Sequence, residues 1–353
     1  MGLSGGRFGE RHARAFAETE GVELIGIADL DDEIRKKMID TYGFQKGFES
    51  HSELVHSGEI DAIIITTPTN LHERHVSEAF DADLHVLSEK PPATNAREMS
   101  QIITTAGLVG KTYMWARQQR FSNELQKARE MIAKEELGDV YHASAKWQWG
   151  WWPFEPDCWR GSIERGGGAL LDIGIHIIDS LWFTMGCPDP VEAFASAHNL
   201  LMKNEMSDPD DAAEDSSFGM VRFKNGATLT YETSFLTHID GPRTLRDSSN
   251  VHELNVFGSL ASVNLVSGKK IQVKTRESIE VNAYAEEIDQ SEMFKRQAKE
   301  FIDSINEKRE PQNSGKQGLT LMKMLDALAE SAKEKRAVSI KAERSLEDLF
   351  GGV

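Results

Sequence analysis

The sequence contains few cysteines, no long apolar run and fewer basic than acidic residues. Only Cys158 and Cys187 occur among 353 residues, too few for a disulfide framework. The two cysteines also lack the paired spacing of a zinc site. No apolar stretch approaches the ~18 residues that span a bilayer. The 57 acidic and 40 basic residues give a formal net charge of -17, which repels nucleic acid phosphates and anionic lipid surfaces. We therefore expect a cytoplasmic protein with no nucleic acid or membrane partner.

The apolar pattern changes near residue 118. Before it, short apolar runs alternate with amphipathic stretches, as in successive βαβ units. After it, longer alternating strands follow, with Asn225-Gly226 as a hairpin turn. The sequence predicts an α/β protein: a doubly wound parallel sheet in residues 1–118 and an α/β domain with a large open, mostly antiparallel sheet in residues 119–353. We expect the last helices to pack back on the first domain.

A glycine-rich turn opens the chain. Ser4-Gly5-Gly6-Arg7-Phe8-Gly9 follows the dinucleotide-binding pattern G-x-G-x-x-G, with serine in the first position. Asp29 lies about twenty residues further on, where a carboxylate accepts hydrogen bonds from a ribose 2′-hydroxyl and repels a 2′-phosphate. This pattern favours NAD over NADP, and an ordinary glycine turn followed by a capping aspartate is the alternative. The predicted cofactor contacts in this region are Ser4, Gly6, Arg7, Phe8, Gly9 and Asp29.

Three further residues have side chains that could transfer a proton or stabilise a charge. Lys90 follows a predicted strand, so its ammonium would lie at the ligand-binding edge of the sheet, although a surface lysine capping a strand is the alternative. Asp172 and His176 are four residues apart in a predicted helix over Leu170–Met185, behind the run Gly166-Gly167-Gly168, so both lie on one helix face. The alternative is a helix-capping Asp172 and a core His176. Two such ligands lack an obvious third, although Asp179 shares their face, so we predict no metal site.

Tryptophans are concentrated just ahead of the glycine run. Five of the chain's seven lie between Trp147 and Trp159. Aromatic faces stack on the C–H faces of sugar rings, so this segment predicts a carbohydrate or cyclitol pocket with Trp152, Trp159 and Arg160 as substrate contacts. A role in a core or a subunit contact is the other interpretation.

The order of these motifs resembles that of the Gfo/Idh/MocA family of oxidoreductases, which includes sugar and inositol dehydrogenases. The matching segments are Gly-Gly-Arg-Phe-Gly-Glu-Arg-His near the start, Thr67 to His72, Glu89-Lys90-Pro91, Trp159-Arg160, and the glycine run through Asp172 and His176. The resemblance covers nearly the whole chain. It implies a Rossmann domain and a second domain whose sheet forms a homodimer or homotetramer interface.

The resemblance also implies roles for individual residues. Lys90, Asp172 and His176 would be catalytic. The further cofactor contacts that it implies are Thr67, Pro68, Asn70, His72, Glu89, Lys90, Gln118 and Arg120.

The expected function is an NAD-dependent transfer of hydride between a secondary alcohol of a sugar, sugar acid or cyclitol and the nicotinamide. His176 would remove the hydroxyl proton, Asp172 would bind the substrate or orient His176, and Lys90 would stabilise the oxyanion. The alternatives are a glycoside hydrolase that uses NAD transiently and a dinucleotide-binding regulator without turnover.

Overall fold

The computed structural model describes residues 1–4, 9–149, 157–235, 251–266, 270–282 and 289–341. These residues form one sheet of six strands and one of nine, with helices packed against both. The predicted α/β class, with one parallel and one mostly antiparallel sheet, is confirmed. Among the described residues, no helix has the length and apolar composition needed to cross a membrane.

The first sheet is built from parallel strands joined by helices. Its strands are β1 (Gly2–Ser4), β2 (Gly26–Ala28), β3 (Lys46–Phe48), β4 (Ala62–Ile65), β5 (His85–Ser88) and β6 (Tyr113–Trp115). Its helices are α1 (Gly9–Ala17), α2 (Asp32–Tyr42), α3 (His51–Val55), α4 (His72–Asp81) and α5 (Ala96–Val109). The strand order β3-β2-β1-β4-β5-β6 reverses direction between β1 and β4. Doubly wound sheets bind ligands in the crevice at the carboxyl ends of the strands on either side of such a reversal.

Local sequence explains where these elements begin and end. All four residues of β4 are buried, as expected for a strand covered by helices on both faces. The α5 helix begins after Asn95, whose side chain accepts the N–H of Glu98, and ends at Gly110, which adopts a left-handed φ of 67°. The strand ends are thereby fixed, and with them the loops that follow.

The second sheet is longer and open on one side. Its strands are β7 (Val140–Gln148), β8 (Pro190–His198), β9 (Ser216–Phe223), β10 (Thr228–Ser234), β11 (Val251–Gly258), β12 (Ala261–Val266), β13 (Lys270–Thr275), β14 (Ile279–Asn282) and β15 (Val338–Ser339). They follow the order β14-β13-β12-β11-β7-β10-β9-β8-β15, and β7 and β10 are a parallel pair among otherwise antiparallel neighbours. Asn225-Gly226 lies in the predicted tight turn, between β9 and β10.

Helices cover one face of this second sheet and connect it to the first. They are α6 (Asn123–Ala133), α7 (Ile175–Thr184), α8 (Met202–Glu205), α9 (Gln290–Asn306) and α10 (Gly315–Glu334). Every residue of α7 is buried. The α9 helix packs against α1, and α10 packs against both α5 and β8. The predicted domain boundary after residue 118 stays a prediction; the chain crosses between the sheets through a short 3-10 turn over Gln118–Phe121.

The predicted helix over Leu170–Met185 has a more complex form. Its first part, Leu170–Gly174, is a π-helical turn, and the α-helix α7 begins only at Ile175. Asp172 therefore lies in the wider π turn and His176 in the first turn of α7. Such π turns are rare and occur often at functional sites.

Candidate active site

Lys90, in the loop after β5, contacts the segment of the second domain that carries Asp172. Its amine lies 3.1 Å from Oδ1 of Asp172 and 3.1 Å from the Asp172 carbonyl oxygen. The other carboxylate oxygen, Oδ2, accepts a hydrogen bond of 2.8 Å from Nε of Arg160. The side chains of Lys90 and Asp172 are only 10% and 4% exposed. The structure therefore brings Lys90, Asp172 and Arg160 into one cluster, in which two cations share a single carboxylate.

The three glycines ahead of Asp172 allow this cluster to form. A Cβ on Gly166 would lie 3.4 Å from the side chains of Thr69 and Thr94, which belong to the first sheet's loops. A Cβ on Gly167 would lie 2.4 Å from the carbonyl oxygen of Arg160, and one on Gly168 would lie 2.5 Å from the Glu214 carboxylate. The close neighbours of this run are thus protein atoms. The three glycines let these segments pack tightly around the turn that carries Asp172.

His176 is buried close to this cluster. The residue is 8% exposed, its ring centroid lies 5.6 Å from that of Trp147, and its Nδ1 is buried without a hydrogen-bond partner among the described groups. Burial is the main reason why the pKa of His176 lies well below its ordinary value, and the charges of Lys90 and Arg117 lower it further. The imidazole is therefore neutral at physiological pH, and the amine of Lys90 is near enough to influence it.

A buried cluster of charged side chains connects α7 to the segment after β6. The Asp179 carboxylate lies 2.9 Å from Nε of Arg117 and 2.5 Å from Nη2 of Arg120, and all three side chains are fully buried. The Arg120 guanidinium also lies over the rings of Trp115 and Phe183, with distances of 5.0 and 4.9 Å to their centroids. The described partners of Arg120 are protein groups in the core, and the cofactor contact predicted for it stays a prediction.

Glu89 is also enclosed by protein groups. Its Oε1 lies 2.8 Å from Nε2 of His12 on α1, and its Oε2 accepts the backbone N–H of Lys90 at 2.9 Å. Burial alone would raise the pKa of Glu89, but the hydrogen bond and charge of His12 hold it below its ordinary value. Glu89 thus fixes the backbone of Lys90 relative to α1.

The predicted cofactor loop after β4 lies at the same sheet edge. Thr67 is half-buried, Pro68 and Asn70 are exposed, and His72 is almost fully buried. The ring of His72 contacts two backbone carbonyl oxygens, those of Thr67 at 2.7 Å and of Pro91 at 2.8 Å. Burial lowers the pKa of His72, so at neutral pH the ring carries one proton and donates to one of them. His72 therefore links this loop to the segment after Lys90, and the cofactor contact predicted for it stays a prediction.

The nucleotide end of the crevice is described in part. Gly6, Arg7 and Phe8 lie outside the described residues, as does the side chain of Ser4. Gly9 begins α1, and a Cβ there would lie 2.9 Å from Cδ2 of Leu3. Asp29 directly follows β2, and its Oδ1 accepts the N–H of Asp31 at 2.9 Å. Gly9 and Asp29 therefore follow the carboxyl ends of two paired strands, and their contacts with a cofactor stay predictions.

The substrate contacts predicted for Trp152, Trp159 and Arg160 stay predictions. Trp152 lies outside the described residues, and Trp159 lies beneath Arg160, whose guanidinium is 4.5 Å from its ring centroid. The ring nearest to His176 among the described contacts is that of Trp147, which also lies 5.0 Å from the ring of His252 on β11. Sequence reasoning missed His252, since no local pattern marks it. Trp147 belongs to the tryptophan segment, and that signal was present.

Together these side chains can move a proton and hold a negative oxygen. A neutral buried imidazole accepts a proton, and an ammonium held by a carboxylate stabilises developing charge. Within the described residues, no group of three or more His, Cys, Asp or Glu side chains is arranged to hold a metal ion.

Two family models match this chain. Residues 1–116 match the oxidoreductase family with an NAD-binding Rossmann fold, and residues 125–264 match the GFO/IDH/MocA C-terminal domain. The chain belongs to the Gfo/Idh/MocA family. It is therefore an oxidoreductase with an NAD-binding Rossmann domain, as the order of motifs indicates.

Relatives within the Gfo/Idh/MocA family are sugar dehydrogenases by name. The chain is 27% identical to the D-glucoside 3-dehydrogenase of Escherichia coli K12 over 65% of its own length and 67% of that protein. It is 25% identical to a D-xylose 1-dehydrogenase (NADP(+)) of Haloferax volcanii over 90% of its length and 92% of that protein. The structure of levoglucosan dehydrogenase in complex with NADH has the same fold, with a TM-score of 0.85, 21% identity and coverage of 97% and 99% of the two chains.

Proposed function

We propose that this chain transfers hydride between a secondary alcohol of a sugar, sugar acid or cyclitol and the nicotinamide of NAD. The observation that carries the proposal is the ammonium of Lys90, held 3.1 Å from the Asp172 carboxylate and close to the neutral imidazole of His176. Oxidation of an alcohol needs a base for the hydroxyl proton and a cation for the oxygen left behind. The two requirements are met by different residues at one place.

His176 is the proposed base. Its low pKa keeps the ring unprotonated across physiological pH, so no fraction of the enzyme is lost to a protonated base. Loss of the hydroxyl proton to this ring makes the alcohol oxygen negative as the carbon is oxidised. Since the ring is 8% exposed, the proton transfer takes place in an environment that largely excludes water.

Lys90 is the proposed stabiliser of that oxygen, and Asp172 positions it. An ammonium has three N–H donors, and two of the described acceptors around Lys90 are the side chain and carbonyl oxygen of Asp172. One donor is left for the substrate oxygen. Because Asp172 Oδ2 is bound by Arg160, we assign to Asp172 the positioning of Lys90 and Arg160 rather than of His176.

The residues at the crevice between β1 and β4 fit a dinucleotide. A Cβ on Gly9 would lie 2.9 Å from the side chain of Leu3, so the start of α1 packs closely on the sheet. Asp29 follows β2, the neighbouring strand. The amide oxygen of Gln118 is buried without a partner among the described groups, which leaves an acceptor for a donor on the cofactor. When bound, the nicotinamide accepts the hydride. We propose NAD as the preferred form because the carboxylate of Asp29 disfavours a 2′-phosphate.

Aromatic rings beside His176 support a polyhydroxylated ring as the substrate. Trp147 and His252 lie 5.0 Å apart, and Trp147 is 5.6 Å from His176. Sugars and cyclitols combine C–H faces that stack on such rings with hydroxyl groups that bind charged side chains. Arg160, over Trp159, offers a guanidinium for hydroxyl or carboxylate groups.

We also propose that the open face of the second sheet binds a second copy of the chain. Phe194 on β8 is 48% exposed there, and the register pairs it with Met220, while Phe218 lies two positions further along, opposite Ser196. No helix of the described residues covers this apolar patch. Sedimentation of wild-type protein should give a dimer or larger species that Phe194→Lys dissociates; a wild-type monomer would contradict this assignment.

A substrate screen tests the proposed function. Purified protein is incubated with NAD or NADP and with sugars, sugar acids, inositols and glycosides, and NADH formation is followed by absorbance. We expect NADH from at least one free polyol, and a loss of roughly a hundredfold or more in His176→Ala with NAD binding retained. Release of an aglycone without net NADH would instead identify a glycoside hydrolase. NAD binding without any turnover would identify a regulator.

A further inference from the structure

The side chain of Arg117 extends from the first sheet into α7. Arg117 lies two residues beyond β6 and is fully buried. Its Nη2 donates hydrogen bonds to the carbonyl oxygen of His176 and, at 2.8 Å, to the hydroxyl of Ser180, while its Nε lies 2.9 Å from the Asp179 carboxylate. One guanidinium thus contacts three residues in the first two turns of α7.

The backbone of Arg117 is itself fixed. Its N–H donates at 2.7 Å to Oε1 of Gln297, a fully buried side chain of α9. Burial lowers the pKa of Arg117 to about 10, which leaves the guanidinium charged at neutral pH. A fixed cation is therefore placed directly beneath the peptide of His176.

We propose that Arg117 is a positioning residue for His176, which sets the location of the imidazole relative to Lys90 and holds a fixed positive charge beneath the His176 peptide. The proposal rests on the proposed function of His176 as the base. Lys90 follows β5 and Arg117 follows the adjacent strand β6, so the two cations approach α7 from neighbouring strands of one sheet. Because Arg117 donates a hydrogen bond to the His176 carbonyl oxygen, the position of the proposed base is fixed relative to the edge of the first sheet.

The charges that face His176 favour the neutral ring. Lys90 approaches from the end of β5 and Arg117 from the end of β6, and both positive charges disfavour protonation. His252 faces the ring from β11, but burial lowers its pKa to about 4, so it is neutral at physiological pH. The carboxylates nearby already have cationic partners. Asp172 is bound by Lys90 and Arg160, and Asp179 by Arg117 and Arg120.

Two substitutions separate position from charge. Arg117→Lys keeps the positive charge but has no planar fork to reach a carbonyl, a hydroxyl and a carboxylate together. It should lower kcat/KM by roughly tenfold to a hundredfold through misplacement of the base, with the ring titration of His176 unchanged. Arg117→Met removes both functions, so it should also raise the pKa of His176 toward its ordinary value. The acidic limb of the pH profile of kcat/KM would then move to higher pH.

Arg129 provides a matched control. It lies on α6, its Nη1 donates to the carbonyl oxygen of Phe183 near the other end of α7, and its guanidinium is 4.3 Å from the Phe183 ring centroid. Arg129→Met therefore removes a cation that anchors the same helix away from His176. It should lower stability without changing the titration of His176 or the acidic limb.

The ring titration is measured by NMR of protein with 15N-labelled histidine, with the His176 signal assigned from His176→Ala. An unchanged His176 titration in folded Arg117→Met, or an equal shift in Arg129→Met, would overturn the proposal. Should Arg117→Met fail to fold, Arg117→Lys decides alone: a kcat/KM equal to that of wild type would overturn it. The titration needs no substrate, so it tests Arg117 even if the screen finds no dehydrogenase activity.

Discussion

The ammonium of Lys90 and the carboxylate of Asp172 form an ion pair of 3.1 Å between residues 82 positions apart in the chain. Lys90 belongs to the loop after β5 and Asp172 to the π turn before α7. The pair therefore joins the edge of the parallel sheet to the helix that carries His176. Since both side chains are largely buried, its geometry is stable only while both partners remain charged.

Replacement of Asp172 by asparagine should separate this pair while it keeps the shape of the side chain. Lys90 and Arg160 would then share a neutral amide, so we expect a loss of at least about tenfold in kcat/KM because the Lys90 ammonium is no longer held. The free energy of unfolding should fall by about 1–3 kcal/mol. Both are measured on the purified variant. Asp289→Asn, which exchanges one N-cap residue of α9 for another, should leave both unchanged; equal effects of the two variants would contradict the role of Asp172.

The glycine run makes a second prediction, which concerns packing. A Cβ on Gly167 would lie 2.4 and 2.5 Å from the carbonyl oxygens of Arg160 and Trp159, which are backbone atoms with little freedom to move. Gly167→Ala should therefore displace the segment that carries Arg160 and lower the free energy of unfolding by about 1–3 kcal/mol.

The matched substitution is Gly107→Ala within α5, where nothing lies within 4 Å of the added Cβ. It should be neutral or stabilise the protein by up to about 1 kcal/mol, because alanine favours helix. Urea unfolding of the two variants measures this difference. Equal midpoints for Gly167→Ala and wild type would show that the close approach is not maintained in solution.

Short-range spacing made part of this site predictable. The spacing of four positions from Asp172 to His176 places them on one helical segment, and the glycines ahead of them mark a tight turn. The partners of Asp172 were beyond the reach of spacing, because Arg160 is 12 and Lys90 is 82 residues away. For Lys90, only the motif order of the family supplied the link.

Charged residues in the crossover between the sheets were harder to interpret. A run such as Arg117 to Arg120 is typical of a solvated surface, and only the three-dimensional fold places Asp179 between the two guanidinium groups. The fold itself was predictable where apolar alternation is strong, as in β7 to β10. Strands β12 and β13 were missed, although in β12 the buried Ala261, Val263 and Leu265 alternate with Ser262 and Asn264 in the pattern of a half-buried strand.

Cofactor choice gives a third prediction. The Asp29 carboxylate follows β2 and is held by the N–H of Asp31. Asp29→Ser keeps a short hydrogen-bonding side chain but removes the negative charge, so the ratio of kcat/KM with NADP to that with NAD should rise at least about tenfold. Steady-state kinetics with both cofactors measure it. Asp40→Ser, at the far end of α2, is the control, and an unchanged ratio in Asp29→Ser would place the ribose elsewhere.

Glu214 gives the last prediction, which concerns pH and stability. Its Oε1 accepts the N–H of Leu170 at 2.9 Å beside Gly168, at the start of the π turn. Burial raises the pKa of Glu214 to about 7, and the neighbouring Asp215 adds to the effect. In the unfolded chain the group titrates near its ordinary value of 4.5. Between these two values the folded state binds more protons than the unfolded state, so this group lowers stability as pH rises from about 4.5 to 7.

Glu214→Gln should remove that dependence, since an amide accepts the same N–H and never ionises. Relative to wild type, the variant should gain up to about 3 kcal/mol in the free energy of unfolding between pH 4.5 and pH 8, as the shift in pKa requires. Urea unfolding at several pH values measures the gain. The same substitution at the exposed Glu164, on the loop before the glycine run, is the matched control. Parallel pH dependences of wild type and Glu214→Gln would mean that the Glu214 carboxyl ionises in the folded protein as readily as in water.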